Sequence, residues 1–195
     1  MGVGIAHVCA TSGYRVQLVD VSDEILSRAK ENIERNLSKL VQRGNLTEAQ
    51  KSISIENINF GLVLSDLREC DLVIEAATES EEIKKEIYSK ICPVLKKSAI
   101  LATNSSSISI TRLASQTDRP EKFIGVHFMN PAPLMELIEL INGIATAKEV
   151  FDTIHDFALA LGKTPVCSED YPAFIVNRIL LPMINEAVYT LYEGV

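Results

Sequence analysis

The chain has 195 residues, with 19 lysines and arginines against 26 aspartates and glutamates, which gives a formal net charge of −7. Hydrophobic residues make up 47% of it, enough to build a core, and this excludes an intrinsically disordered chain. The acidic balance without basic runs argues against nucleic-acid binding, because phosphates are neutralised by clustered lysine and arginine. No apolar stretch approaches the ~18 residues of a membrane helix, so no membrane partner is expected.

Strands and helices alternate along the chain. Helical apolar spacing predicts helices from residue 2 to a glycine cap at Gly13, and over 23–41, 81–95, 148–161 and 172–192. A polar turn or short helix is expected over 47–51. Six β-rich runs predict strands over 15–19, 71–77, 99–103, 123–128, 136–141 and 164–167. This order is typical of βαβ units, so we expect an α/β fold whose mostly parallel sheet is covered on both faces.

The four cysteines give no sign of a metal site or a disulfide framework. They lie far apart and without C-x-x-C spacing, at Cys9, Cys70, Cys92 and Cys167. Such cysteines are expected to be buried thiols of a cytosolic, cytoplasmic protein.

The beginning of the chain fits a dinucleotide-binding βαβ unit that lacks its first strand. In such units an acidic residue ends the second strand about 20 residues beyond the glycine-rich turn and binds the ribose hydroxyls. Asp20 stands at about that distance if Gly2 is the third glycine of G-x-G-x-x-G, the one that permits close packing of helix against strand. An aspartate there favours NAD over NADP, because it repels a 2′-phosphate. Spacing alone leaves open that Gly2 and Gly4 are simple helix-start glycines and that Asp20 is an ordinary turn residue.

A histidine and a carboxylate are predicted to meet beside a strand end. His127 lies near the carboxyl end of strand 123–128, at the edge where open α/β sheets bind ligands. A lone histidine is more often a core or loop residue, but antiparallel pairing about Pro133 would place Glu139 opposite this one. That carboxylate would hold one imidazole tautomer and stabilise the imidazolium, as a general base for an alcohol requires. Glu136 competes, but strand alternation points it to the other face.

Two further polar segments are candidates. Residues 104–107 (NSSS) follow a strand at its carboxyl end, although a serine-rich turn with Ser107 as a helix cap explains them too. Asn177 lies in the helix-forming run FIVNRILL, where a polar residue needs a partner, and a helix–helix hydrogen bond is the alternative. His7 and His155, on predicted helices, are not expected to take part.

Three segments resemble the 3-hydroxyacyl-CoA dehydrogenase family, above all its bacterial 3-hydroxybutyryl-CoA branch: AILATNSSSISITRL, FIGVHFMNPAPLMELIELI and PAFIVNRILLPMINEA. The resemblance extends over essentially the whole chain, since GIAHVCATSGYRVQLVDVS and DLVIEAATE match as well. It implies a Rossmann-like NAD-binding domain over residues 1–168 without its N-terminal strand. Residues 169–195 would then begin a truncated all-α domain for substrate binding and dimerisation.

The resemblance also implies an activity. Family members oxidise (S)-3-hydroxyacyl-CoA to 3-oxoacyl-CoA with NAD, here with a short acyl chain, in fatty acid or butanoate metabolism and as homodimers. His127 and Glu139 match the catalytic pair. Ser106 matches the serine that hydrogen-bonds the reacting hydroxyl, and Asn177 a residue that orients the substrate. The positions that match cofactor contacts are Gly2, Asp20, Glu79, Lys84 and Asn104.

Two alternatives stay open beside this interpretation. Glu79 and Lys84 are equally well explained as solvated charges at the start of a helix. Because a strand and most of a domain are expected to be missing, the chain is also interpretable as a catalytically silent fragment or a structural remnant of the family.

Overall fold

The computed structural model describes residues 1–195. Its helices are α1 (Gly2–Thr11), α2 (Asp23–Gln42), α3 (Glu48–Glu56), α4 (Glu81–Ile91), α5 (Ile110–Ala114), α6 (Lys148–Ala160) and α7 (Val176–Tyr192). Its strands are β1 (Val16–Val19), β2 (Ile58–Gly61), β3 (Leu72–Glu75), β4 (Ile100–Thr103), β5 (Phe123–Phe128), β6 (Leu137–Asn142) and β7 (Thr164–Glu169). Short 3₁₀ segments span Leu64–Glu69 and Pro120–Lys122. The α/β class predicted from the alternation is confirmed.

The strands form two sheets. One contains β1 and β2, and the other runs in the order β3-β4-β5-β6-β7. All neighbouring strands are parallel except β5 and β6, which are antiparallel. The sheet is therefore mostly parallel, as expected, and its one antiparallel pair includes the strand that carries His127.

Local sequence signals explain where the helices begin and end. Ser22 caps α2 by accepting a hydrogen bond from the Ile25 amide, and Thr47 forms a capping box at the start of α3. Gly13 and Gly162 follow α1 and α6 with φ angles of +88° and +71°, which glycine adopts without a steric penalty. The stop at Gly13 was predicted, and Gly162 directly follows the helix end predicted at residue 161.

The core lies on both faces of the larger sheet. On β5, alternate residues Ile124, Val126 and Phe128 pack toward α1 and α6, while Phe123 packs toward α4 and α5. Strand alternation therefore turns His127 toward the α4 and α5 side. The structure contains no helix both long and apolar enough to cross a membrane.

Gly125 allows α5 to approach this second face closely. A Cβ atom at this position would lie 2.8 Å from Cδ1 of Ile110 and 2.9 Å from Cβ of Ile141. A side chain would therefore push α5 away from β5, two residues before His127.

Several boundaries differ from the sequence prediction. Strand β2 was not predicted, and α3 extends five residues beyond the turn or short helix expected up to residue 51. The last helix was expected from residue 172 but begins at Val176, because Ala173 and Phe174 have φ angles of +68° and +52° that a right-handed helix cannot accommodate. Helix α5 is capped by Ser109 rather than by Ser107.

The prediction of four buried thiols is only half right. All four cysteines are free, and Cys9 and Cys92 are buried. Cys70 is half-buried and Cys167 is exposed. Cys167 lies on β7, an edge strand with a neighbour on one side only, which leaves it open to solvent.

Candidate active site

His127 and Glu139 face each other across the antiparallel pair, in the register predicted from the sequence. Nδ1 of His127 lies 2.7 Å from Oε2 of Glu139. Glu139 is fully buried and His127 is 7% exposed. The pair is thus enclosed by protein on almost every side and lies beside the carboxyl end of β5.

Glu139 is held as a carboxylate by three donors. Its second oxygen, Oε1, accepts hydrogen bonds from the amides of Ile175 (2.9 Å) and Val176 (2.8 Å). Burial opposes ionisation, but the hydrogen bonds from His127, Val176 and Ile175 outweigh it and hold the pKa of Glu139 below its ordinary value. Because a carboxylate only accepts hydrogen bonds, Nδ1 of His127 must donate, and Nε2 is left unprotonated in the neutral ring.

Phe174 forms a wall of this pair. Its ring meets the imidazole of His127 edge to face, with centroids 6.2 Å apart and an interplanar angle of 62°. Phe174 immediately precedes the two residues whose amides bind Glu139. Sequence analysis missed this contribution, because main-chain donors leave no signature in a residue pattern.

The segment Asn104–Ser107, here the serine loop, lies at the carboxyl end of the neighbouring strand β4. Oδ1 of Asn104 accepts a hydrogen bond from the Phe128 amide (2.9 Å) and so joins the ends of β4 and β5. The carbonyl of Ser106 accepts from Nδ2 of Asn177 (3.2 Å), while its hydroxyl makes no hydrogen bond in the structure. The predicted residues Ser106 and Asn177 are therefore in direct contact, and the hydroxyl of Ser106 is left without a protein partner.

Glu79 organises the serine loop from its other side. One oxygen, Oε1, accepts from the hydroxyl of Ser105 (2.6 Å), the amides of Ser106 (2.9 Å) and Ser107 (3.0 Å), and the Ser107 hydroxyl (3.1 Å). Burial raises the pKa of Glu79, but these hydrogen bonds, with the charge of Lys84, lower it below its ordinary value. Glu79 is thus more than a solvated helix-start charge.

Lys84 is enclosed in the protein, so the alternative of a solvated charge is wrong. It is 1% exposed, and its Nζ lies 2.8 and 2.9 Å from the two oxygens of Glu75. Glu75 also accepts from Tyr88, Thr103 and the amide of Ala77. A direct cofactor contact by Lys84 would require it to leave Glu75. The signal for Glu75 was its place in the apolar run LVIEA, where a carboxylate needs partners.

The features expected to hold a dinucleotide are compatible with one. Asp20 follows β1, and its carboxylate accepts only from the amide of the next residue, Val21 (2.7 Å), so it keeps acceptor capacity for a ribose. Helix α1 begins without a side-chain cap or an acidic residue in its first turn. Free amides at such a helix start favour a phosphate group.

Gly2 was expected to pack closely against a strand that precedes α1 and that this structure does not contain, so its role stays a prediction. A Cβ atom on Gly2 would lie 3.7 Å from Ala76, an ordinary van der Waals distance. The tighter approach is at Gly4, where a Cβ atom would lie 3.3 Å from both Ala132 and Pro133. The glycine requirement of α1 therefore comes from the loop after β5, rather than from β3.

The two other histidines lie apart from this network. His7 is buried on α1 with no partner for Nδ1, and burial lowers its pKa. His155 is partly exposed on α6, with Nδ1 3.7 Å from Asp156. Neither bonds to a residue of the candidate site, as the sequence predicted.

Comparison with known proteins gives a consistent answer. A family model described as "3-hydroxyacyl-CoA dehydrogenase, NAD binding domain" matches residues 1–171. The 3-hydroxybutyryl-CoA dehydrogenase of Bradyrhizobium diazoefficiens is 56% identical over 195 residues, covering all of this chain and 67% of that protein. The probable 3-hydroxybutyryl-CoA dehydrogenase of Deinococcus radiodurans is 46% identical and is covered to 70%. The crystal structure of (S)-3-hydroxybutyryl-CoA dehydrogenase from Ralstonia eutropha matches with a TM-score of 0.97 at 42% identity, covering 100% of this chain and 69% of that one.

The chain thus spans about two thirds of the length of these relatives. The matching family model describes an NAD-binding domain, which agrees with the cofactor expected from Asp20. The chain belongs to the 3-hydroxyacyl-CoA dehydrogenase family, a family of NAD-dependent oxidoreductases.

Proposed function

We propose that this chain oxidises short-chain (S)-3-hydroxyacyl-CoA to 3-oxoacyl-CoA with NAD, using His127 and Glu139 as the catalytic pair. The observation that carries the proposal is the 2.7 Å contact between Nδ1 of His127 and Oε2 of Glu139. It fixes one ring nitrogen and leaves the other without a protein partner, beside a strand end of the kind that binds ligands in α/β folds. The names of the relatives support the substrate class.

The proposed proton transfer uses the free ring nitrogen. Nε2 of His127 takes the proton of the C3 hydroxyl while the C3–H bond breaks and the carbonyl forms. When bound, NAD supplies the acceptor for the hydride that leaves C3. Glu139 holds the proton on Nδ1 and stabilises the positive charge that the ring acquires. In the reverse direction the imidazolium returns its proton to the carbonyl oxygen.

Ser106 and Asn177 are proposed to position the substrate. The unbonded hydroxyl of Ser106 would hydrogen-bond the reacting oxygen, and Asn177, held at the Ser106 carbonyl, would orient the thioester. Such positioning supports catalysis because the reacting atoms must approach to near-contact distance.

The cofactor is proposed to lie along the carboxyl ends of β1, β3 and β4. Asp20 would bind the ribose hydroxyls, and the start of α1 at Gly2 would lie against the phosphates. Asn104, which joins β4 to β5, would lie against the nicotinamide. Glu79 and Lys84 would shape this edge, Glu79 through the serine loop and Lys84 through Glu75.

The remaining assignments follow from the same proposal. Residues 1–168 would form the NAD-binding domain and 169–195 the beginning of a helical domain that takes part in substrate binding and dimerisation. The exposed apolar side chains of α7 are proposed to take part in the interface of a homodimer. A cytoplasmic location is supported by the four free thiols.

The test combines cofactor binding with turnover. NADH binding is measured by fluorescence titration of the purified chain, and turnover by NADH consumption with acetoacetyl-CoA. His127→Ala should lower turnover by ~10²–10⁴-fold, the usual contribution of a general base, and leave NADH affinity unchanged. His155→Ala is the matched control and should change neither.

Two results would contradict the proposal. Equal turnover of His127→Ala and the unmodified chain would remove His127 from the mechanism. Saturable NADH binding without any turnover would favour the catalytically silent alternative.

A further inference from the structure

The segment that leads from β7 into the first residues of α7, residues 170–177, has an unusual backbone and is here called the α7 turn. Ala173 and Phe174 are consecutive and have φ angles of +68° and +52°. These are the only residues other than glycine with positive φ in the chain. Non-glycine residues, and bulky ones above all, avoid this region, and they keep it only where surrounding contacts impose it.

Both ends of the α7 turn are tied to the NAD-binding domain. Upstream, the carboxylate of Asp170 accepts from the Ser109 hydroxyl (2.7 Å) and from the amides of Ile110 (2.9 Å) and Thr111 (2.8 Å) at the start of α5. Downstream, Asn177 bonds to the serine loop. The contacts that impose the backbone are therefore on α5 and on the loop after β4.

Phe174 anchors the middle of the α7 turn. It is 3% exposed and packs in the core cluster on the α4 and α5 side of the sheet, whereas α7 itself has no buried residue. Because α7 buries no side chain, the ring of Phe174 attaches this segment to the core. The same ring makes the edge-to-face contact with His127.

The hydrogen bonds of Glu139 depend on this anchoring. Two of the three donors of Glu139 are the amides of Ile175 and Val176, the residues directly after Phe174. They occupy Oε1, so that Oε2 is the oxygen left for Nδ1 of His127. Moving the α7 turn would remove both amides from a fully buried carboxylate, which would then turn or take up a proton.

We propose that Phe174 is a positioning residue for the His127–Glu139 pair. By burying its ring it holds the α7 turn in the left-handed conformation. The turn presents two amides to Glu139, and Glu139 in turn fixes the tautomer of His127. This inference rests on the proposed function and deepens it, because it assigns part of the proton-transfer geometry to the segment that leads into α7.

The test reads the tautomer of His127 and needs no turnover. Long-range proton–nitrogen NMR of the full chain with ¹⁵N-labelled histidine distinguishes a protonated Nδ1 from a protonated Nε2, and His127→Gln assigns the signals. The unmodified chain should show Nδ1 protonated and Nε2 free at neutral pH. Phe174→Ala should lose this single state and show a mixture of tautomers, whereas Phe174→Leu, which keeps a large apolar side chain, should preserve it.

The chain offers controls for a purely structural effect. His7 and His155 report on the fold in the same spectra, and their signals should not change. Leu181→Ala, at a 58% exposed position on α7, should leave all three histidines unchanged. In an active preparation Phe174→Ala should lower kcat by up to ~10²-fold, as a displaced catalytic group does, without a change in NADH affinity.

The outcomes separate this inference from the function beneath it. An Nδ1-protonated His127 that persists in a folded Phe174→Ala chain would overturn the positioning role and leave the catalytic pair intact. An unmodified chain without a fixed tautomer would overturn both. If Phe174→Ala does not fold, Asp170→Asn loosens the same turn at α5. A mixture of tautomers in that variant supports the inference, and an unchanged tautomer overturns it.

Discussion

Two buried glutamates lie in the larger sheet, on strands β3 and β6, and their partners differ. Glu75, at the end of β3, binds the ammonium group of Lys84 with both oxygens and accepts from three further donors. Glu139, in β6, binds one nitrogen of the His127 ring and two main-chain amides. Both carboxylates are satisfied, as buried charges must be.

The partner decides what each carboxylate can do. The ammonium of Lys84 is a donor only and is enclosed with Glu75, so this pair joins β3 to α4 and moves no proton. The imidazole of His127 has a second nitrogen that no protein group occupies, so a proton can be taken up on one side while Glu139 compensates its charge on the other. Burial and ion pairing are common to both sites, and the free acceptor nitrogen of His127 distinguishes the proposed catalytic pair from the Glu75–Lys84 pair.

The largest expected effect comes from changing the acid–base pair. Glu139→Gln keeps the shape of the side chain but cannot compensate the imidazolium, and its amide group can hold the wrong tautomer. Turnover should therefore fall by ~10²–10⁴-fold. NADH consumption with acetoacetyl-CoA measures it, with Glu136→Gln, an exposed neighbour, as the control. A decrease of only a few fold would mean that Glu139 is no more than a structural carboxylate, like Glu75.

The corresponding change in the Glu75–Lys84 pair should lower the stability of the fold. Glu75→Gln leaves the buried ammonium of Lys84 with only the more distant carboxylate of Glu79, 3.9 Å away, which costs about 3–5 kcal/mol of the free energy of unfolding. Urea denaturation should show a lower midpoint for this variant. The double variant Glu75→Gln with Lys84→Met should recover much of the loss, because it removes both charges and keeps an oxygen for the hydroxyls of Tyr88 and Thr103. A single variant as stable as the unmodified chain would show that the ion pair does not stabilise the fold.

The dependence of the free energy of unfolding on pH, below neutral pH, offers a third comparison. Burial opposes ionisation of Glu139, but its hydrogen bonds hold the folded-state pKa below the value of about 4.3 expected in the unfolded chain. The folded state then binds fewer protons than the unfolded one. The stability that Glu139 contributes is fully present above that unfolded value and is lost as the pH falls through the folded pKa. Urea unfolding between about pH 6 and pH 3 should have a smaller slope against pH in Glu139→Gln.

The control for this profile is again Glu136→Gln. It removes an exposed carboxylate from the same strand region, and the slope should stay that of the unmodified chain. An equal slope in all three proteins would show that the native hydrogen bonds do not favour ionisation of Glu139.

The sequence allowed the acid–base pair to be predicted because side chains alternate along a strand. Once the turn was centred near Pro133, the period of two fixed which residue faces His127, and the observed register agrees. Helix caps such as Ser22 and the stops at Gly13 and Gly162 are local signals of the same kind. These features depend on neighbours in the chain or on one turn.

What the sequence did not reveal depends on distant partners. The amides that bind Glu139 belong to residues 36 and 37 positions away, and an amide looks the same in every residue. Lys84 was separable from a solvated charge at a helix start only by its burial in the structure. The start of α7 was misplaced because no glycine marks the left-handed residues Ala173 and Phe174.

The smallest expected effect tests whether the backbone is strained in the segment whose amides bind Glu139. The amides that serve Glu139 come after Ala173, whose φ of +68° is costly for alanine, whereas Glu75 is served by regular elements. Ala173→Gly should relieve about 1–2 kcal/mol of steric cost and lose part of it to the greater entropy of the unfolded chain. The net gain in the free energy of unfolding should be about 0.5–1 kcal/mol, measured by urea denaturation. Ala147→Gly is the control, since Ala147 is also half-buried but has a φ of −71°. Equal changes in the two variants would show that the α7 turn is unstrained. The turn would then present its amides to Glu139 without surrounding contacts that force its backbone into the left-handed region.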